Sequence, residues 1–173
     1  MEKRHVVAIY NSHEALGEAL ALLINQLKLK RRDIAVLGKG ENGEPKDIFE
    51  VKKENSDILF WGEQGAIWGA IFGFLAGGFF AFVPGFGPLV AAGPIVSSLA
   101  GAVGGAEVLG SAAALAAWFI DLGVEEVEAH KYAEYLKEGK IVLLADAASD
   151  EKLEEIKKAL KETGAEEIKV YTE

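Results

Sequence analysis

Apolar and polar positions follow three different rhythms along this chain. From Gln64 to Ile120, 57 residues pass with one charged side chain, Glu107. On either side the rhythm is shorter. His5–Tyr10 (HVVAIY) is brief and β-branched, the pattern of a buried strand. Asn11 or Ser12 can cap a helix behind it, with Ala15, Leu16, Ala19, Leu22, Leu23 and Leu27 as its apolar face. Ile34–Gly38 reads as a second strand, and Asp47–Lys53, across a Gly/Asn/Pro turn, as a half-exposed third. Beyond the apolar zone, Val124–Gly139 reads as a helix. The opening pattern then returns: a strand at Ile141–Asp146, a helix capped by Ser149 or Asp150 and running to about Lys161, and a strand at Glu167–Thr172.

Two strand–helix–strand units thus bracket a hydrophobic insert. Neither has enough sheet to stand alone, and the simplest closure is one antiparallel sheet with two helices on one face. The expected class is α+β: a ferredoxin-like β-α-β…β-α-β domain with an inserted glycine-zipper α-helical hairpin. Residues 1–60 would form the first half of the domain, 61–121 the hairpin, and 122–173 the linking helix and second half.

Inside the insert, Gly65, Gly69, Gly73 and Gly77 recur every fourth residue, so a helix over Gln64–Val83 would carry them on one strip. So many glycines would cost a water-exposed helix about 1 kcal/mol each. Small residues at this spacing let two helices approach closely, as they do in membranes. Ile95–Ile120 offers comparable strips, with Gly104, Glu107 and Ser111 on one and Gly110 on another. Between the halves, VPGFGPLVAAGP (Val83–Pro94) reads as the hairpin turn, built on Pro84, Gly85, Gly87, Pro88, Gly93 and Pro94. Each half exceeds the about 20 residues that cross a hydrocarbon core. Trp61, Trp68 and Trp118 stand near the entry and exit, as interfacial indoles or as plain core. Glu107, with Ser111, is a candidate intramembrane polar site, proton- or cation-responsive or a tie between subunits. The blander reading is a protonated or Ser111-bonded carboxyl against glycine backbone.

Charge separates the same zones. Residues 1–63 carry 10 Lys/Arg and 11 Asp/Glu, residues 121–173 carry 8 and 15, and the whole chain is −9. That acidic balance argues against nucleic acid as a partner. The one basic cluster, Lys28–Arg32, reads as a helix C-terminus answering its dipole ahead of a headgroup contact. Without cysteine there is no disulfide or thiolate site. Gly38-Lys-Gly40-Glu-Asn-Gly43 matches a dinucleotide fingerprint, but Glu44-Pro45-Lys46 and a strand follow where a helix would have to open. It reads as a hairpin turn. His5, His13 and His130 lack metal-ligand spacing and read as surface or boundary residues, and Glu125, Glu126 and Glu128 as a solvated first turn. No catalytic, cofactor-binding or metal-binding residues are expected.

Pro84-Gly85-x-Gly87-Pro88, then Ala91-Ala92-Gly93-Pro94, a small-residue helix, and Gly123-Val124 leading to Glu128-Ala129 and Tyr132 resemble bacterial general-stress or heat-induced stress proteins. The resemblance covers roughly Gly62–Ala147. It implies a stress-responsive or membrane-associated protein and supplies no catalytic residues. Glu107 stands where that pattern usually has small residues.

Residues and resemblance together give the expectation: a non-enzymatic, membrane-associated stress-response protein without cofactor. Its partners would be the lipid bilayer and itself, as a homo-oligomer. Its hairpin would insert in the inner (cytoplasmic) membrane, with the α+β domain and both termini cytoplasmic. The alternatives are a soluble, cytoplasmic homo-oligomer burying its hairpins in a protein core, and a small pore or transport component using Glu107.

Overall fold

Val6–Tyr10 has no polar side chain facing either way except the Tyr10 hydroxyl, so a strand built from it needs cover on both sides. The fold supplies that cover. A computed structural model describes residues 4–39, 78–83, 87–93 and 111–172. They form an α+β fold, a six-stranded sheet with helices on both faces. The strands are β1 (Arg4–Tyr10), β2 (Ile34–Lys39), β3 (Gly78–Val83), β4 (Gly87–Ala92), β5 (Ile141–Ala147) and β6 (Glu167–Thr172). Their order is β3-β4-β2-β5-β1-β6, and every pairing is antiparallel.

Helices α1 (His13–Ala21) and α4 (Asp150–Glu162) cover one face. Leu16, Leu20 and Leu23 from the first helical segment and Ile156 and Leu160 from α4 pack on Val6, Ala8, Ile34, Val36 and Leu143. Ser12 and Ser149 cap the two helices, each accepting a backbone N–H three residues on at 3.1 Å. The two helices expected on one face are both there. Helices α2 (Ser111–Asp121) and α3 (Glu126–Lys137) cover the opposite face. There Leu115, Trp118, Phe119, Tyr132 and Leu136 meet Val7, Ile9, Leu37, Val142 and Leu144. Burying both faces explains why β1 and β5 read as unbroken apolar runs.

Part of the expected helical hairpin is extended. The helix expected over Gln64–Val83 gives way to β3 by Gly78, and the expected turn residues Gly87 and Pro88 open β4. Physically, Phe79-Phe80-Ala81-Phe82-Val83 is aromatic and β-branched, a composition that favours strand. The four-residue glycine register stops at Gly77. Pro88 is tolerated because it lies just beyond Leu89, whose rung with Lys39 is the last between β4 and β2. Gly93 follows β4 with φ +103°, and a Cβ there would stand 2.3 Å from the Ile34 carbonyl oxygen. The remaining hairpin residues (Gly65, Gly69, Gly73, Gly77, Pro84, Gly85, Pro94, Gly104, Glu107 and Gly110) lie outside the described residues, as does the strand expected at Asp47–Lys53.

Candidate functional site: a polar seam between helix α3 and the sheet edge

β6 ends the sheet on one side, and its alternate residues Glu167, Lys169 and Tyr171 share a face with Val7 and Ile9 of β1. Helix α3 lies over that face and meets each of the three. Tyr135 donates from its hydroxyl to Glu167 at 2.7 Å, and Lys131 Nζ pairs with the same carboxylate at 2.9 Å. Lys169 Nζ pairs with Glu128. The Tyr132 and Tyr171 hydroxyls lie 2.6 Å apart. Lys140, just past α3, pairs with Glu166 at 3.2 Å and sits 4.4 Å from the centre of the Tyr135 ring.

The seam continues across the sheet. Tyr171 is the register partner of His5 on β1, and His5 is the register partner of Asp146 on β5. The His5 Nδ1 lies 2.5 Å from Asp146 Oδ1, and His5 is only 2 % exposed. This corrects the reading of His5 as a surface or boundary residue. Its partner stands 141 residues away, beyond the reach of any local motif. Glu128 is likewise no solvated first-turn residue: its side chain is 18 % exposed, and its Oε2 is buried without a hydrogen bond among the described residues. His130 is exposed, as expected.

These surroundings shift the seam's acids and bases. Burial and the facing hydroxyl push the Tyr132 phenol well up. Burial also raises Tyr171, against the bond to Tyr132. For Glu167, burial pushes the carboxyl up, but the Tyr135 and Lys131 hydrogen bonds and the Lys131 and Lys169 charges hold it below the ordinary range. Bonds to Glu167, Glu128 and Glu166 raise Lys131, Lys169 and Lys140 respectively. Paired this way, the groups fasten α3 to the sheet. No group of three His, Asp or Glu suited to a metal ion occurs among the described residues.

The residues singled out from sequence lie apart from this seam. Ser111 is the first residue of α2, Gly87 and Pro88 belong to β4, and Gly93 follows it. Sequence reasoning missed the seam because its members come from α3, β1, β5 and β6. The one local signal was the alternation Glu167, Lys169, Tyr171, polar on the face where a core residue was due. Elsewhere, a recess of about 220 Å³ between α4 and the turn that follows α1 is lined by Leu22, Gln26, Leu27, Glu155 and Lys158 among others. Among the described residues no helix is long and apolar enough to cross a membrane. No protein-family model, curated protein or solved structure matches the chain.

Proposed function

We propose that this chain is a non-enzymatic, membrane-associated stress-response protein that tethers an α+β domain to a bilayer through its glycine-rich apolar segment and self-associates there. The carrying observation is that Gly78 and Ala92 are register partners, so the chain enters β3 and leaves β4 side by side. The apolar residues before Gly78 and after Gly93 therefore depart from one end of one β-hairpin, as two arms of a single insert must. In this reading the four strands β2-β5-β1-β6, with α1 and α4, are the ferredoxin-like unit. Their antiparallel order and the two helices on one face support it.

Strand β3 limits how deep the insert goes. Between Gln64 and Gly77 there remain fourteen residues, about 21 Å as a continuous helix, short of the about 30 Å of a hydrocarbon core. That length suits an arm that dips into one leaflet, on the cytoplasmic side of the inner membrane, with glycine-lined packing joining the copies. The polar seam favours a scaffold over a catalyst, since most of its groups are paired with one another.

Expression without detergent, followed by carbonate washing of the membranes, tests this. Retention in the washed membrane is the expected result. A discrete detergent-free oligomer in the supernatant would instead mean that the apolar segments build a protein core, and the membrane reading falls.

A further inference from the structure

The segment joining α1 to β2 is held in a fixed shape. After α1 a π-helical turn runs Leu22–Gln26, and Leu27 N–H bonds to Leu22 O at 3.0 Å. Lys28 then takes φ 56°, and Leu29, 8 % exposed, returns to the core with its N–H on Leu23 O at 2.9 Å. Lys152 of α4 pins the same loop from outside, donating to Leu27 O at 3.2 Å. With Leu29 turned inward, Lys28 and Lys30 are left exposed, and Arg32 is exposed in the 3₁₀ turn that follows, with Arg31 beside it in sequence.

This loop opens onto a particular end of the sheet. It feeds β2 at Ile34, whose carbonyl oxygen lies against Gly93. Gly93 follows Ala92, and Ala92 pairs with Gly78. Three exposed cations in a five-residue window, Lys28, Lys30 and Arg32, therefore stand at the end of the sheet from which both apolar arms depart.

We propose that Lys28–Arg32 is a docking surface for a bilayer carrying anionic headgroups, orienting the domain over the membrane that receives the apolar arms. This rests on the membrane reading above and adds the lipid class and the face presented. Two facts favour headgroups over a mere answer to the helix dipole. A dipole partner is needed within the last helical turn, whereas Lys30, Arg31 and Arg32 lie beyond it. A chain of net charge −9 is repelled as a whole by an anionic surface. A local basic loop, acting within a Debye length of about 8 Å, therefore selects the one orientation that the bilayer tolerates. Local acids offset only part of it. Asp33 is 4.0 Å from Arg32, Asp150 is engaged by Arg4, and Glu155 is engaged by Lys152.

The test is flotation of the full chain with vesicles of phosphatidylcholine alone or with about one-third phosphatidylglycerol. At low salt the wild type should favour the anionic vesicles at least about ten-fold, and high salt should erase the preference. Lys28→Gln, Lys30→Gln, Arg31→Gln and Arg32→Gln combined should abolish it, at about five-fold per charge, while binding to neutral vesicles persists. Neutralising Lys157, Lys158 and Lys161 on α4 should leave it intact. If the fourfold variant does not fold, Lys30→Glu with Arg32→Glu, both exposed, asks the same question. Equal wild-type binding to both vesicles overturns the proposal and spares the membrane reading. Binding to neither overturns both.

Discussion

Lys28 holds a left-handed backbone that side chains with a Cβ adopt reluctantly, because the buried Leu29 after it fixes the path of the loop. Replacing Lys28 with Gly should stabilise the fold by about 1 kcal/mol, read as a higher urea midpoint at unchanged slope. A lowered midpoint would mean that the side chain, rather than the backbone, matters there. Gly93→Ala should do the reverse and cost at least about 2 kcal/mol, since both its φ and the Ile34 carbonyl stand against a Cβ. The tyrosine pair of the seam is best read by a double-mutant cycle. Tyr132→Phe and Tyr171→Phe each strand a buried hydroxyl, so the double variant should cost less than the two singles together, with coupling of about 0.5–3 kcal/mol. Strict additivity would show that the hydroxyls do not interact. At this scale the sequence is readable wherever the partner is near. Ser12 and Ser149 announce themselves as caps, whereas Asp146 as the partner of His5 needs the folded sheet to be seen.

The junction of α3 with β6 answers to pH in both directions. Glu167 is held below the ordinary carboxyl range, so its contribution is full above about pH 4.5 and is lost as the pH falls through the lower folded value. Urea midpoints across the acid range should decline more gently in Glu167→Gln than in the wild type; parallel curves would remove Glu167 from the account. On the alkaline side the order inverts. Burial raises Tyr132 and Tyr171 at the junction, and on the opposite face of the sheet it pushes Tyr10 up to about 12, against the bond to Thr163. Their contributions stand below the ordinary phenol value of about 10 and fade as the pH climbs past it. Phenolate absorbance from these three should therefore appear together with unfolding, and its appearance in the folded protein would contradict their burial. The flanking strands and helices were legible because strand and helix periods differ so clearly there. β3 and β4 were not, because a glycine every fourth residue up to Gly77 imitates a helix face, and the change to Phe79–Val83 happens without any polar marker.

Across the molecule, protection should follow position in the sheet. β1 and β5 are covered on both faces and paired on both sides, while β3 has a described partner only in β4. Amide exchange should therefore be slowest in Val6–Ile9 and Val142–Leu144 and faster throughout β3. Equal rates in β3 and β1 would mean that the outer strand belongs to the same cooperative unit. The four strands β2, β5, β1 and β6 could be anticipated from the two repeated flanks, but the widening to six could not, since β3 and β4 are borrowed from the apolar insert. That borrowing has a mechanical side. Because Gly78 and Ala92 sit opposite each other at one end of the hairpin, a load drawn apart through the two arms would open β3 from β4 rung by rung, like a zipper. The β1–β5 rungs lie outside that load path. A tug from whatever holds the arms would thus be absorbed at the rim of the sheet while its centre stays folded.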